Sequence, residues 1–106
     1  MKVAEPPIEY ITQRIVEALQ PRRIVLFGSR ARGDAGPQSD VDIMVEMESD
    51  LRAPRRAMEI DKLFRGRRWA MDVFVYTPDE VRERRHVVGT LVHEIETEGK
   101  VLYERR

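Results

Sequence analysis

Residues 23–47 read RIVLFGSRARGDAGPQSDVDIMVEM, and the reading of this stretch decides the fold. Arg23-Ile24-Val25-Leu26-Phe27 is a short apolar run that stops at Gly28-Ser29. Such a run, bounded by turn residues, predicts a buried strand entering a tight turn. Residues 33–39, GDAGPQS, are loop chemistry throughout. From Val41 the pattern alternates, with Val41, Ile43, Val45 and Met47 on one side and Asp42, Met44 and Glu46 on the other. That alternation predicts a second strand over 41–47 with one face against the core.

Upstream, Ile8, Ile11, Ile15, Val16 and Leu19 recur at helical spacing, with Pro6-Pro7 before them and Pro21 after. They predict a helix near 8–20. Downstream, Pro54 opens a second helical pattern through Ala57, Ile60, Leu63 and Phe64 that closes near Gly66. Ala70 to Tyr76 reads as a third strand. Thr77-Pro78-Asp79-Glu80 has the spacing of a capping box for the next helix. Val88, Leu91, Val92 and Ile95 mark a last helix, stopped at Gly99, and Lys100–Tyr103 reads as a terminal strand. Strands alternating with helices predict a small mixed α/β (α+β) domain.

Composition narrows the function classes. The 106 residues suit one domain, 1–106. Charged residues reach 36%, yet Lys plus Arg and Asp plus Glu are 19 each. A net charge of zero argues against direct nucleic-acid binding driven by electrostatics. With no cysteine there is neither a disulfide scaffold nor a thiolate metal site. No apolar run approaches the ~20 residues of a membrane span, and the first ten residues have no apolar leader core. The expectation is a cytoplasmic protein with no membrane association. Sixteen of the basic residues are Arg. Arg52, Arg55, Arg56, Arg65, Arg67 and Arg68 gather in one stretch, which reads either as a docking face for an acidic partner or as a solvated helix face.

Three segments carry chemistry. Gly28 lets the backbone approach a ligand, and Ser29 adds a hydroxyl and N–H groups where a short helix can begin. Asp40 and Asp42, at i and i+2, point to one side of a strand with Cα atoms ~6.5–7 Å apart. Their oxygens suit hard divalent cations. Asp72 stands between the apolar Met71 and Val73, where a carboxylate is costly unless paired or metal-bound. Taken singly, these are an ordinary turn, a solvated strand edge and an acid awaiting an arginine. Together, a phosphate cradle and a carboxylate set are complementary parts. Competing motifs fail in detail. Gly28 to Gly33 has Walker-A spacing, but Asp34-Ala35 stands where Lys-Ser/Thr is needed. Met44 stands where a calcium loop needs an oxygen ligand, and His93-Glu94 lacks a second zinc-binding His. His86 and His93 read as helix-surface residues, and Trp69 as a core or interface aromatic.

Gly28-Ser29, ten residues, then Asp40-Val41-Asp42 resembles the GSx(10)DxD signature of the DNA-polymerase-beta-like nucleotidyltransferase superfamily. The fuller string Gly28-Ser29-Arg30-Ala31-Arg32-Gly33-Asp34, with Ser39-Asp40-Val41-Asp42, resembles the minimal nucleotidyltransferases called MntA-like. Asp72 falls where that family carries its last metal ligand. The resemblance covers nearly the whole chain. It implies a short mixed sheet flanked by helices and transfer of AMP from ATP to a hydroxyl. Asp40, Asp42 and Asp72 would be the catalytic ligands of two Mg²⁺ ions. Gly28 and Ser29 would hold the triphosphate, and Arg30 or Arg32 would stabilise its charge. It also implies a partner: a HEPN-domain toxin whose tyrosine accepts the AMP, with this chain as the antitoxin. A non-catalytic antitoxin acting by occlusion, or transfer to a small hydroxylated molecule, are the alternatives.

Overall fold

The computed structural model describes residues 6–105; the first five residues, part of the stretch expected to lack a leader, lie outside them. Its elements run α1 (Ile8–Leu19), β1 (Arg23–Phe27), α2 (Ser29–Arg32), β2 (Val41–Glu46), α3 (Ala53–Asp61) with a 3₁₀ turn (Lys62–Phe64), β3 (Met71–Tyr76), α4 (Pro78–Arg84), α5 (Leu91–Glu98) and β4 (Lys100–Glu104). The four strands form one mixed sheet in the order β3-β2-β1-β4. β1 pairs antiparallel with both β2 and β4, while β2 and β3 are parallel. A parallel pair needs a crossover, and α3 with its 3₁₀ turn supplies it.

The period-2 alternation sorts the strands onto two faces. On the first face Ile24, Leu26, Val41, Ile43, Val45, Met71 and Val75 form the main core with Ile11 and Ile15 of α1, Ile60 of α3 and Phe64. Pro21 follows Gln20, which ends α1 in the left-handed conformation. Trp69 packs against this core, its ring edge-on to Phe64 at 6.4 Å.

The second face differs from the one-sided strand expected for 41–47. Met44 is fully buried and Glu46 nearly so, because α5 lays Ile95 and Leu91 over Val25, Phe27 and Met44. Glu46 is held by Arg23 at 2.9 Å, and Arg23 also binds Glu96 of α5. β2 is therefore sandwiched, and it stops at Glu46, one residue before Met47.

The chain after β3 also departs from expectation. Thr77 and Glu80 form the capping box, with the Thr77 hydroxyl accepting from the Glu80 N–H and the Glu80 carboxylate accepting from the Thr77 N–H. α4 then ends at Arg84, and a turn containing Gly89 at φ 95° intervenes before α5. Val88 lies in that turn, 82% exposed, and is not part of the last helix. Thr90 caps α5 by accepting from the His93 N–H. Gly99 stops α5, but its φ of −76° is ordinary for any residue. What requires glycine is space: a Cβ there would stand 2.5 Å from the Val25 side chain. Among the described residues no helix is long and apolar enough to cross a membrane.

Candidate active site

The chemistry-bearing residues lie on the second face, at the end of the sheet where β1 finishes and β2 and β3 begin. Register assembles them. Phe27 of β1 stands opposite Asp42, and Asp42 stands opposite Asp72 of β3. Residues opposite one another on neighbouring strands share a face and lie ~4.8 Å apart. Asp40, two residues before Asp42, meets the same cluster.

The electrostatics follows from this convergence. Burial pushes the Asp42 carboxyl above its ordinary pKa, and the charges of Asp72 and Asp40 push it further, against an opposing pull from Arg32. Asp72 is more open than Asp42, yet partial desolvation still raises it first. Asp40 adds its charge and a hydrogen bond between the two carboxyls, Asp61 adds a smaller push, and Arg67 pulls the other way. Among the described residues, none of the three carboxylates forms an ion pair within 4 Å. Like charges held this close want a proton or a cation, and carboxylate oxygens are the donors Mg²⁺ takes. The donor set fits a divalent ion in chemistry. Among the described residues, however, no three His, Asp or Glu side chains stand in a ready coordination arrangement.

Gly28 is bound to this cluster by sterics. It adopts φ 75°, ψ −157°, outside the range of L side chains. A Cβ on it would collide with the Asp42 Oδ2 and stand 3.2 Å from the Asp42 Cγ. The turn thus brings bare backbone against a carboxylate oxygen. Ser29 opens α2, one turn long and closed by Gly33 at φ 87°. Ala31 is the one buried residue of α2 and seats it on the core.

Arg30 is engaged by the loop that precedes β2. Its Nε and Nη2 donate to the Ser39 carbonyl at 3.1 and 2.9 Å, and Nη2 also reaches the Gly36 and Pro37 carbonyls at 3.5 Å. Arg32 pairs with Asp34 and Glu98. Arg67 and Asp61 were not singled out as site residues by the sequence, yet both act on Asp72. No spacing rule signals them, since the crossover alone brings them to the strand. The histidines lie outside the cluster: His86 is exposed, and His93 Nδ1 meets the Arg85 carbonyl at 2.9 Å.

The basic stretch is neither a uniform docking face nor uniformly solvated. Arg56 is an internal residue, its side chain 11% exposed. It donates to the Leu51 carbonyl at 2.7 Å and binds the Glu80 carboxylate at 2.7 Å. Arg55, beside it, is exposed.

The sequence model of the family described as nucleotidyltransferase domain matches residues 8–104. The fold is similar to the crystal structure of a protein from Sulfolobus solfataricus described as a nucleotidyltransferase, with a TM-score of 0.66 and 20% identity over 92% of this chain and 78% of that one. It is also similar to a chain in a crystal structure of a toxin–antitoxin with AMP-PNP, with a TM-score of 0.62 and 23% identity over 92% of this chain and 74% of that one. No curated protein matches the chain significantly.

Proposed function

The chain belongs to the nucleotidyltransferase domain family, and from that premise we propose that it acts as a single domain that transfers AMP from ATP to a hydroxyl acceptor, with Mg²⁺ bound. The acceptor in this reading is a tyrosine of a partner HEPN-domain toxin, and the chain is the antitoxin. One observation carries the enzymatic part. Three carboxylates, Asp72 of β3, Asp42 of β2 and Asp40 just before β2, gather beside a glycine turn where a methyl group would meet the Asp42 carboxylate. A module that only occludes a partner has no use for such a cluster, which costs stability when its charges are unpaired. The partner is supported by the likeness to a toxin–antitoxin structure holding AMP-PNP, an ATP analogue.

In this mechanism Gly28 and Ser29 receive the triphosphate, the glycine by leaving its backbone uncovered. Asp40, Asp42 and Asp72 would hold Mg²⁺, and the ion would supply charge neutralisation at the phosphates. Asp72, exposed near the start of β3, orients the acceptor O–H and takes its proton. The acceptor oxygen forms a bond to the α-phosphorus as the bond to pyrophosphate breaks. The protein contributes position and charge placement, with no covalent step of its own.

The test is mass spectrometry for an AMP adduct on a HEPN partner incubated with ATP, with and without EDTA. Asp42→Asn keeps shape and removes charge, and a loss of at least ~10²-fold in transfer is expected. The adduct should vanish with EDTA. If Asp42→Asn still silences the partner as well as the unmodified chain does, occlusion is the activity.

A further inference from the structure

Asp40 occupies an unusual backbone position for a site residue. It precedes β2, so no strand ladder fixes it. The groups on either side of it are fixed. The Val41 N–H donates to the Ala70 carbonyl at 2.9 Å, which docks the start of β2 onto β3. The Ser39 carbonyl accepts from both Nε and Nη2 of Arg30. The loop behind it closes on itself: the Gly36 N–H donates to the Ser39 hydroxyl at 2.9 Å, and the Ser39 N–H donates to the Gly36 carbonyl at 3.1 Å. Arg30 Nη2 also reaches the two carbonyls at the head of that loop.

We infer that Arg30 is a positioning residue whose guanidinium clamps the 36–39 loop and thereby sets the place of Asp40. This goes beyond the expected contact with the triphosphate, and it rests on the reading in which Asp40 belongs to the nucleotide site. The physical reason lies in the side chain. A planar guanidinium presents several N–H donors in a fixed fork and can hold several carbonyls at once. A lysine ammonium is a point charge that serves a phosphate well but cannot reproduce the fork. α2 is the right place for such a clamp. It begins at the Gly28 turn, is seated through Ala31, and holds the glycine turn and the loop end in one rigid unit.

Two measurements decide this, on Arg30→Gln and Arg30→Lys. The first is backbone hydrogen exchange without nucleotide or metal. Arg30→Gln should exchange roughly tenfold faster at the Ser39 and Val41 amides, while β1 amides keep their protection. The second is AMP transfer as a function of Mn²⁺ and, separately, of ATP. Loss of a group that orients a metal ligand costs roughly 10–100-fold in metal affinity or activity. Arg30→Gln should therefore need at least roughly tenfold more Mn²⁺, with KM for ATP at saturating Mn²⁺ changed less than about twofold. Arg30→Lys should not restore either property. The inference is overturned by unaltered exchange at 39–41, or by a large rise in KM for ATP that Arg30→Lys repairs, since that is the signature of a phosphate contact. The exchange arm needs no activity. If the unmodified chain transfers nothing, the nucleotidyltransferase reading of this chain falls on the second arm, while the exchange arm still accepts or rejects the clamp.

Discussion

At Gly28 a single hydrogen in place of a side chain leaves room for the Asp42 carboxylate. Its φ of 75° excludes ordinary side chains, and a methyl group there would run into a carboxylate oxygen of Asp42. Gly28→Ala should therefore displace Asp42 as well as strain the turn, a cost of about 1–3 kcal/mol for the backbone alone. The expected outcome is a folded but weakened protein with transfer reduced by roughly 10²-fold or more, read by chemical denaturation beside the adduct assay. The sequence shows a glycine before Ser29 and no more. That Asp42 is its neighbour follows from the pairing of Phe27 with Asp42 across β1 and β2. Asp42 itself carries a pH signature. Asp42 and Asp72 ionise later in the folded chain than their ordinary values, so folding favours their protonated forms. Their cost to stability is absent in acid and grows as pH rises through the ordinary aspartate range toward the raised pKa values. In EDTA, Asp42→Asn should be more stable than the unmodified chain at pH 7, and the gain should disappear below about pH 4. Urea titrations at about pH 7 and about pH 3.5 check this, on either side of the ordinary aspartate pKa; an equal gain at both would exclude charge repulsion as the cause. Glu80 runs the other way. Burial works against its ionisation, but its bonds to the Thr77 N–H and Arg56 outweigh that and lower its pKa. Its contribution is full above the glutamate range and lost as pH falls through the lowered value.

The elements meet through a few side chains that do two tasks. Glu80 closes the α4 capping box and also receives Arg56 from α3. Arg56 in turn reaches back to the Leu51 carbonyl that precedes its own helix. This joint fixes the crossover helix and α4 to the end of β3, the strand that carries Asp72. Arg56→Ala should cost about 2–3 kcal/mol, because it removes a charge-assisted bond and leaves a half-buried carboxylate without its partner. Arg55→Ala, one residue away and exposed, should stay within about 0.5 kcal/mol. Denaturation midpoints of the two variants give the comparison, and similar costs would place Arg56 back on the solvated face. The capping box was legible in Thr77-Pro78-Asp79-Glu80, since its partners lie three residues apart. The Arg56 contact was not, because arginines in a basic run look alike until the helix is docked. The same limit explains Val88. Its apolar character extended the last helix on paper, while the Gly89 turn and the Thr90 cap start α5 at Leu91.

Across the whole molecule, one sheet separates two jobs. Its first face builds the core with α1 and α3, and its second face is half roofed by α5 and half given to the carboxylates. Phe27, which packs under α5, stands opposite Asp42, and Asp72 on the next strand is exposed, so the carboxylates lie at the margin of the α5 contact. The strand identities, the first and crossover helices, the glycine turn and the Asp40-Asp42 pair were determined by the sequence alone, while α2 and the break between α4 and α5 were not. Each feature so determined depends on residues within a few positions of one another, where periodicity and turn chemistry act. Only the tertiary structure decided that Asp72 stands level with Asp42, that Met44 and Glu46 are buried, and that Arg30 and Arg56 turn inward to carbonyls and a carboxylate. Those facts depend on which strands pair, in which register, and on which face a helix lands. The free energy that selects them comes from apolar surfaces far apart in the chain, so no local pattern records it.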